Sequence, residues 1–284
     1  MKKPPYLHIV LFLLTCLSTL AAGALQQGIN IINSPGRIIE GLPFAGTLMT
    51  ILLCHELSHY YASKKNRTEA TLPYFIPAPS IFGTFGAFIK MKSPIITRKA
   101  LIDIGASGPI AGFIISVAAC LIGLNFSKVI PLTQGEGGLL LGDSILFSFL
   151  SRIVLGPTPE HYDILLHPVA FAGWIGLFVT SLNLLPIGQL DGGHIAYAML
   201  GERHRLVSQI LVTVLAVLGL SSLLGFSGWE GWLVWAMLML ILGIRHPPVL
   251  YWESPLDPGR TVIGLLSLAI FIVTFIPSPF KVSL

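Results

Sequence analysis

Charge is what this chain has least of. Only 11% of its 284 residues are Asp, Glu, Lys or Arg, against 54% hydrophobic ones, whereas a soluble globular domain carries about 25% charged residues. That shortage excludes an ordinary water-soluble fold and predicts a polytopic membrane protein. Cysteine is scarcer still. Cys16, Cys54 and Cys120 all sit in apolar runs, where a thiol behaves as a small buried hydrophobe, so neither a disulfide framework nor a cysteine-ligated zinc ribbon is expected. There is no internal repeat of fixed period and no stretch long enough for a separate soluble domain. The net charge of +4 comes in short basic clusters beside apolar segments, as at membrane flanks, so nucleic acid is not an expected partner.

Long apolar runs take the place of charge. A spanning helix needs about 20 mostly apolar residues, and runs of that kind lie near 6–25, 41–61, 101–124, 167–186, 206–225, 231–244 and 261–277. The sixth is short enough to be tilted or half-buried. The expected fold class is an all-α polytopic membrane protein of about six to seven transmembrane helices, built as one integral membrane domain over 1–284. Its functional core is expected near 40–200, with the first span, 6–25, and the C-terminal spans, 206–277, accessory to it. With the N-terminus in the cytoplasm, 13 of the 17 lysines and arginines face the cytoplasm, and 4, Arg37, Lys128, Arg152 and Lys281, lie outside. That bias sets the orientation. The opening "MKK" before an apolar run ending in "AAGA" also fits a signal peptide, but the length of the run favours a retained anchor. Between the second and third spans, "LPYFIPAPSIFGTFGAFIKMKSP" mixes proline, glycine and aromatics with partial alternation, which predicts a small membrane-associated β-hairpin. Residues 125–165 read as an external loop with a short helix near 143–154.

The stretch "TLMTILLCHELSHYY", residues 47–61, breaks the apolar rule with two imidazoles and a carboxylate inside five residues. Residues i and i+4 share a helix face, so His55 and His59 converge on one point with Glu56 beside them. Two neutral imidazoles hold a metal such as zinc, and the glutamate takes a proton from the water it activates. With eight His and eight Glu in the chain, the pattern arises by chance on the order of one time in a hundred. Each ionisable group in a membrane helix costs roughly 2.5–3.5 kcal/mol on insertion scales, so three together call for a compensating cation. If the span enters the bilayer near Gly41, His55 lies about 21 Å along it, roughly 10 Å short of the far boundary of a 30 Å core. Simple solvation at the helix end is therefore the weaker explanation.

A catalytic zinc usually takes three protein ligands and leaves one position open. The best source of the third is "SLNLLPIGQLDGGH", residues 181–194. There Pro186 breaks the helix and frees the carbonyl of Leu182, while Gly188, Gly192 and Gly193 let the backbone turn tightly. Asp191 is then carried on irregular backbone at membrane depth, tolerated only where it is buried in protein or lines a wet cavity. A "HELSH" helix followed far downstream by Asn183, Pro186, Asp191 and Gly192, in the order N-x-x-P-x-x-x-x-D-G, resembles the site-2 protease family of intramembrane zinc metalloproteases. "GASGPIAG" at 105–112 and "GTFGAFIKMKSP" at 83–94 resemble the subgroup that includes plastid and cyanobacterial members, so the similarity covers about residues 40–200. The resemblance implies His55, His59 and Asp191 as zinc ligands, Glu56 as catalytic base, and Asn183 as a residue that positions substrate backbone or the transition state. Many such relatives carry a PDZ domain, for which these residues leave no room.

Other features weigh less. Gly108 and Gly112 form a small-xxx-small pair read as helix packing. His194 is expected to support the site or the fold from outside the ligand set, and His167 to sit at the interface. Around Gly83, Phe85 and Gly86, an edge strand is positioned to capture an unwound substrate by strand addition; a plain surface hairpin anchored by aromatics explains the same residues. The expected function is zinc-dependent hydrolysis of peptide bonds in or near transmembrane segments of other membrane proteins, with lipid bilayer and membrane substrates as partners. The expected location is a bacterial inner membrane, with the active site towards the cytoplasm. A release of regulatory proteins such as anti-sigma factors follows by family analogy alone. The rival readings are a transporter or metal-handling protein, since broken helices with mid-membrane carboxylates also mark ion sites, and a catalytically silent scaffold.

Overall fold

The computed structural model describes residues 5–131, 139–159, 161–226, 228–252 and 255–282. The "TQGEGG" part of the expected external loop lies outside them. The helices are α1 (Tyr6–Gln26), α2 (Leu42–Lys65), α3 (Arg98–Leu124), α4 (Ile145–Leu155), α5 (Pro168–Asn183), α6 (Asp191–Leu200), α7 (His204–Leu223), α8 (Gly231–Leu242) and α9 (Pro258–Thr274). Among the described residues, short strands β1 (Tyr74–Pro77), β2 (Thr84–Phe88), β3 (Lys128–Pro131), β4 (Leu139–Leu141), β5 (Tyr162–Leu165) and β6 (Phe280–Val282) form three two-stranded sheets, β1–β2, β3–β5 and β4–β6.

The mostly helical architecture and the hairpin between α2 and α3 agree with the sequence reading. Among the described residues, four stretches are long and apolar enough to cross a membrane: Tyr6–Gln26, Pro35–Lys65, Arg98–Leu124 and Asp191–Leu223. Helices α5 and α8, with 16 and 12 residues, are shorter than the expected spans 167–186 and 231–244, and 12 residues rise only about 18 Å of a 30 Å core; α9 has 17 residues, as many as the expected span 261–277, and starts three residues earlier. α8 stops where Gly243 takes φ 97°. The expected helix near 143–154 is α4, and the three thiols are free.

The chain packs as two units. The first holds residues 1–93, 110–130 and 154–177. Within it, α1 exposes Leu7, Val10, Leu13 and Leu17 and buries Thr15, Thr19, Ala22 and Gly23. That arrangement suits a helix whose outer face meets hydrocarbon, where small residues let backbones approach and hydroxyls find local partners. Thr15 and Thr19 donate to the carbonyls of Leu11 and Thr15 at 2.8 and 2.7 Å. α1 also carries the hairpin: Phe12 stacks edge-on against Phe75, and Ser18 Oγ donates to the Gly83 carbonyl at 2.6 Å. β1 and β2 pair antiparallel, Tyr74 with Phe88 and Pro77 with Thr84, with an irregularity between Phe75 and Pro77.

The second unit holds residues 94–109, 131–153 and 178–284. α7 and α8 pack on each other, and Trp232, fully buried, donates from its indole to the Pro277 carbonyl at 2.6 Å. α9 starts on Asp257, whose side chain accepts from the Arg260 amide at 3.0 Å, with Pro258 in the first turn, the usual chemistry of a helix start. The Arg260 guanidinium grips both carboxylate oxygens of Asp103 on α3, at 2.9 and 2.7 Å, and also reaches Asp257. That pairing holds the Asp257 carboxyl below its ordinary range. A bidentate guanidinium is the strong form of such a pair.

Gly83 has φ 74°, and a Cβ there would collide with the backbone of Ser18 and Thr19. Gly83→Val should therefore lift the hairpin off α1 and lower stability by at least about 1–2 kcal/mol. Thermal melting in detergent, with limited proteolysis at residues 78–83, reads both effects.

Candidate metal centre

In the first unit, α2 carries the two imidazoles. Its apolar run starts with Pro43 in the first turn and ends with Lys64 and Lys65 in the last, where cations meet the negative end of the helix dipole. The exit is a closed one. Arg67 adopts φ 55°, its amide bonds to Lys64 O at 3.1 Å and that of Thr68 to Ser63 O at 2.9 Å, the pair of bonds that ties off a helix C-terminus. The helical course through 55–59 is thus continuous well past the site. His55, Glu56 and His59 are each only 5% exposed, among Leu48, Ile51 and Leu52.

His55 Nε2 and His59 Nε2 face each other at 3.0 Å, with ring centroids 4.7 Å apart. Two imidazole nitrogens at that separation need a shared proton or a cation between them. A tetrahedral zinc with bonds of 2.0–2.1 Å sets its ligand nitrogens about 3.3 Å apart, so the rings need to open by only a few tenths of an ångström. The donor pair fits the metal. Room for His55 comes from α3: a Cβ on Gly112 would stand 3.1 Å from His55 Nδ1. Ser116 Oγ closes the same turn by donating to Gly112 O at 2.7 Å. Gly112 is indeed a packing residue, as its spacing suggested, but what it packs against is the candidate ligand itself.

In the second unit the Asp191 segment differs from the sequence reading in three ways. α5 ends at Asn183, and the Leu182 carbonyl is not freed by Pro186, because the Leu185 amide bonds to it at 3.3 Å. Asp191 is not on irregular backbone: it is the first residue of α6, with Leu190 before it in an extended conformation. A carboxylate in the first turn is favoured by the helix dipole. Of the three glycines, only Gly188 takes a left-handed conformation, φ 54°. Gly192 and Gly193 are helical, and a Cβ on them would strike the carbonyls of Leu184 and Gly188. Their part is to let the start of α6 lie directly against the preceding turn. Gly105 of α3 does likewise on the other side, 3.0 Å from Asp191 O and 3.1 Å from the His194 Cβ for an added Cβ. Asp191 and Asn183 are half-buried.

His194 has a partner that no spacing in the sequence announces. Its Nδ1 lies 2.7 Å from His246 Nε2, and His246 Nδ1 lies 2.7 Å from the Pro247 carbonyl. A carbonyl only accepts, so the proton of His246 is on Nδ1, its Nε2 accepts, and His194 donates from Nδ1. Burial pushes the His246 imidazole below its usual pKa, in keeping with this neutral form. Tyr197 stacks on His246 at 4.4 Å, and His204 Nε2 sits 3.2 Å from Ser208 Oγ. His167 is half-buried, with its ring 5.4 Å from Phe126. Of the residues proposed to meet substrate, Gly83 is buried against α1, Phe85 is 75% exposed, and nothing stands within 4 Å of a Cβ on Gly86.

The description Peptidase family M50 matches residues 43–226, a stretch that contains His55, Glu56, His59, Asn183 and Asp191. The chain is 36% identical over 171 residues to "Probable zinc metalloprotease EGY1, chloroplastic" of Arabidopsis thaliana, covering 57% of this chain and 30% of that protein. It is 30% identical over 253 residues to "Probable zinc metalloprotease EGY2, chloroplastic" of the same plant, covering 85% and 42%. The rice EGY1 counterpart is 34% identical over 173 residues, 57% of this chain and 29% of the relative. The chain thus spans well under half the length of these relatives, and no solved structure matches it. Their chloroplastic names do not fit the bacterial inner membrane expected from the sequence. His55 and His59 are a donor pair that could hold a metal ion, in keeping with relatives named as zinc metalloproteases. Matched to the family over well more than half of its 284 residues, with the imidazole pair and Asp191 inside the match, the chain belongs to peptidase family M50.

Proposed function

We propose that this chain is a zinc-dependent intramembrane endopeptidase, one peptidase domain with its catalytic core at about residues 40–200, cutting peptide bonds in or near transmembrane segments of other membrane proteins. The observation that carries the reading is the His55–His59 nitrogen pair at 3.0 Å with buried Glu56 on the same helix turn. In this reading Asp191 is the third ligand, and His55, Glu56 and His59 face the cytoplasmic side, as the lysine and arginine bias favours. When bound, zinc lowers the pKa of a water towards 7 and polarises the scissile carbonyl.

Glu56 then holds the proton taken from the attacking water at its carboxylate and delivers it to the leaving amine. The Asn183 amide, at the end of α5, orients the substrate backbone. A substrate helix has its amides paired internally, so it must unwind before cleavage, which favours substrates with helix-breaking residues. An unwound segment finds main-chain partners by adding to β2, where Phe85 and Gly86 are open and Gly83 anchors the turn. A transporter or metal-handling protein needs the donors but has no use for Glu56, which is why that residue separates the two readings.

Glu56→Gln should lower cleavage of a single-span substrate by about 10²–10⁴-fold, with zinc content by mass spectrometry unchanged. If that variant keeps full function, the transport reading wins. Asn183→Ala should lose about 10²-fold in kcat/KM, again with zinc retained, as for the loss of one transition-state donor. Gly112→Val should instead lose the metal, because the added methyls occupy the place of the His55 ring; zinc content then falls while circular dichroism stays helical.

A further inference from the structure

The second unit contains a cavity of about 450 Å³, within the size range of small-molecule sites. Tyr197 and Trp252 form its aromatic walls, Leu200 and Val249 add apolar surface, and Glu202 and Arg203 stand at its rim. The walls are held from behind. The Arg98 guanidinium lies over the Trp252 ring at 4.3 Å, and its Nε donates to the Ala198 carbonyl at 2.9 Å. The Tyr251 amide bonds to Ile96 O at 2.9 Å, and Tyr197 stacks on His246. Gly201, at φ 62°, brings its backbone so close that a Cβ would stand 2.9 Å from the indole. This is a preorganised site.

Two properties of its surroundings identify the ligand class. Large apolar side chains next to it in sequence are exposed: Leu200 45%, Leu206 60%, Leu250 75% and Tyr251 63%, a rim suited to hydrocarbon. The same segments expose Arg203, Arg205 and Arg245, cations of the kind that recruit anionic headgroups at membrane flanks. We propose that this cavity binds the headgroup of an anionic phospholipid, its phosphodiester on Arg203 and its glycerol end along Leu200 and Val249. Glu202 repels a dianionic free phosphate, yet it accepts hydrogen bonds from headgroup hydroxyls. A monoanionic, hydroxylated headgroup therefore satisfies both rim residues. A small soluble phosphate compound shares the phosphate chemistry but leaves the apolar half of the cavity without a partner.

The test needs no turnover and is independent of the peptidase reading. The full chain is reconstituted in phosphatidylcholine vesicles holding an equal fraction of either brominated phosphatidylglycerol or brominated phosphatidylcholine. Trp252 emission is isolated as the difference between wild type and Trp252→Phe. Quenching should favour phosphatidylglycerol by about fivefold in apparent affinity, the contribution of one arginine at an anionic surface, and Arg203→Gln should abolish the preference. Millimolar glycerol phosphate should leave the quenching unchanged. Equal quenching by the two lipids overturns the proposal, and displacement by glycerol phosphate reassigns the site to a soluble phosphate compound. Should Trp252→Phe fail to fold, native mass spectrometry of wild type and Arg203→Gln decides the matter. Phosphatidylglycerol retained by wild type alone supports the site, and equal retention overturns it.

Discussion

Glu56 and the imidazoles on either side of it sit in a helix that is otherwise built to avoid polarity. In water each would be hydrated; at 5% exposure among leucines and isoleucines each must be satisfied from within, and an apolar interior penalises any charge left over. The two Nε2 atoms turned toward one point at 3.0 Å are how the protein meets that demand, since a cation between them answers both nitrogens at once. The rest of the helix follows from keeping this cluster rigid. A firm C-terminal closure at Arg67 and Thr68 and a lysine pair in the last turn keep the turn that carries the pair from fraying.

Small residues carry much of the remaining design. Gly112 makes space for one imidazole, while Gly105, Gly192 and Gly193 let backbone lie against backbone around the start of α6. Between helices in a membrane there is little hydrophobic drive, so close approach and local hydrogen bonds must provide cohesion. The threonines on the inner face of α1 belong to the same economy: each hydroxyl bonds to a carbonyl one turn back and leaves no polar atom facing lipid.

The placement of the imidazole pair and of the hairpin was legible in the sequence because it depends on short-range spacing. The i, i+4 histidines, the intervening glutamate and the hairpin between α2 and α3 follow from helical and strand periods alone. What escaped depends on tertiary context. That Asp191 opens a helix could not be told from "QLDGG", because two glycines in succession argue for a turn; here both are helical, and glycine is needed because carbonyls take the space a Cβ would fill. His246 lies 52 residues from His194 in an unremarkable loop, and only folding makes them partners at 2.7 Å. Helix lengths were overcounted where an apolar run continued past a break, as after Asn183 and at Gly243, since hydropathy does not register the end of hydrogen bonding.

The first turn of α9 is fastened to α3 through the Arg260–Asp103 pair. Because a two-pronged guanidinium fits a carboxylate in one orientation, the fastening works like a key in a lock. Sliding α9 by a single turn, about 5.4 Å, would part both prongs from Asp103 at once and lose the two hydrogen bonds together. The pair thus sets a single axial register for the first turn of α9 against Asp103.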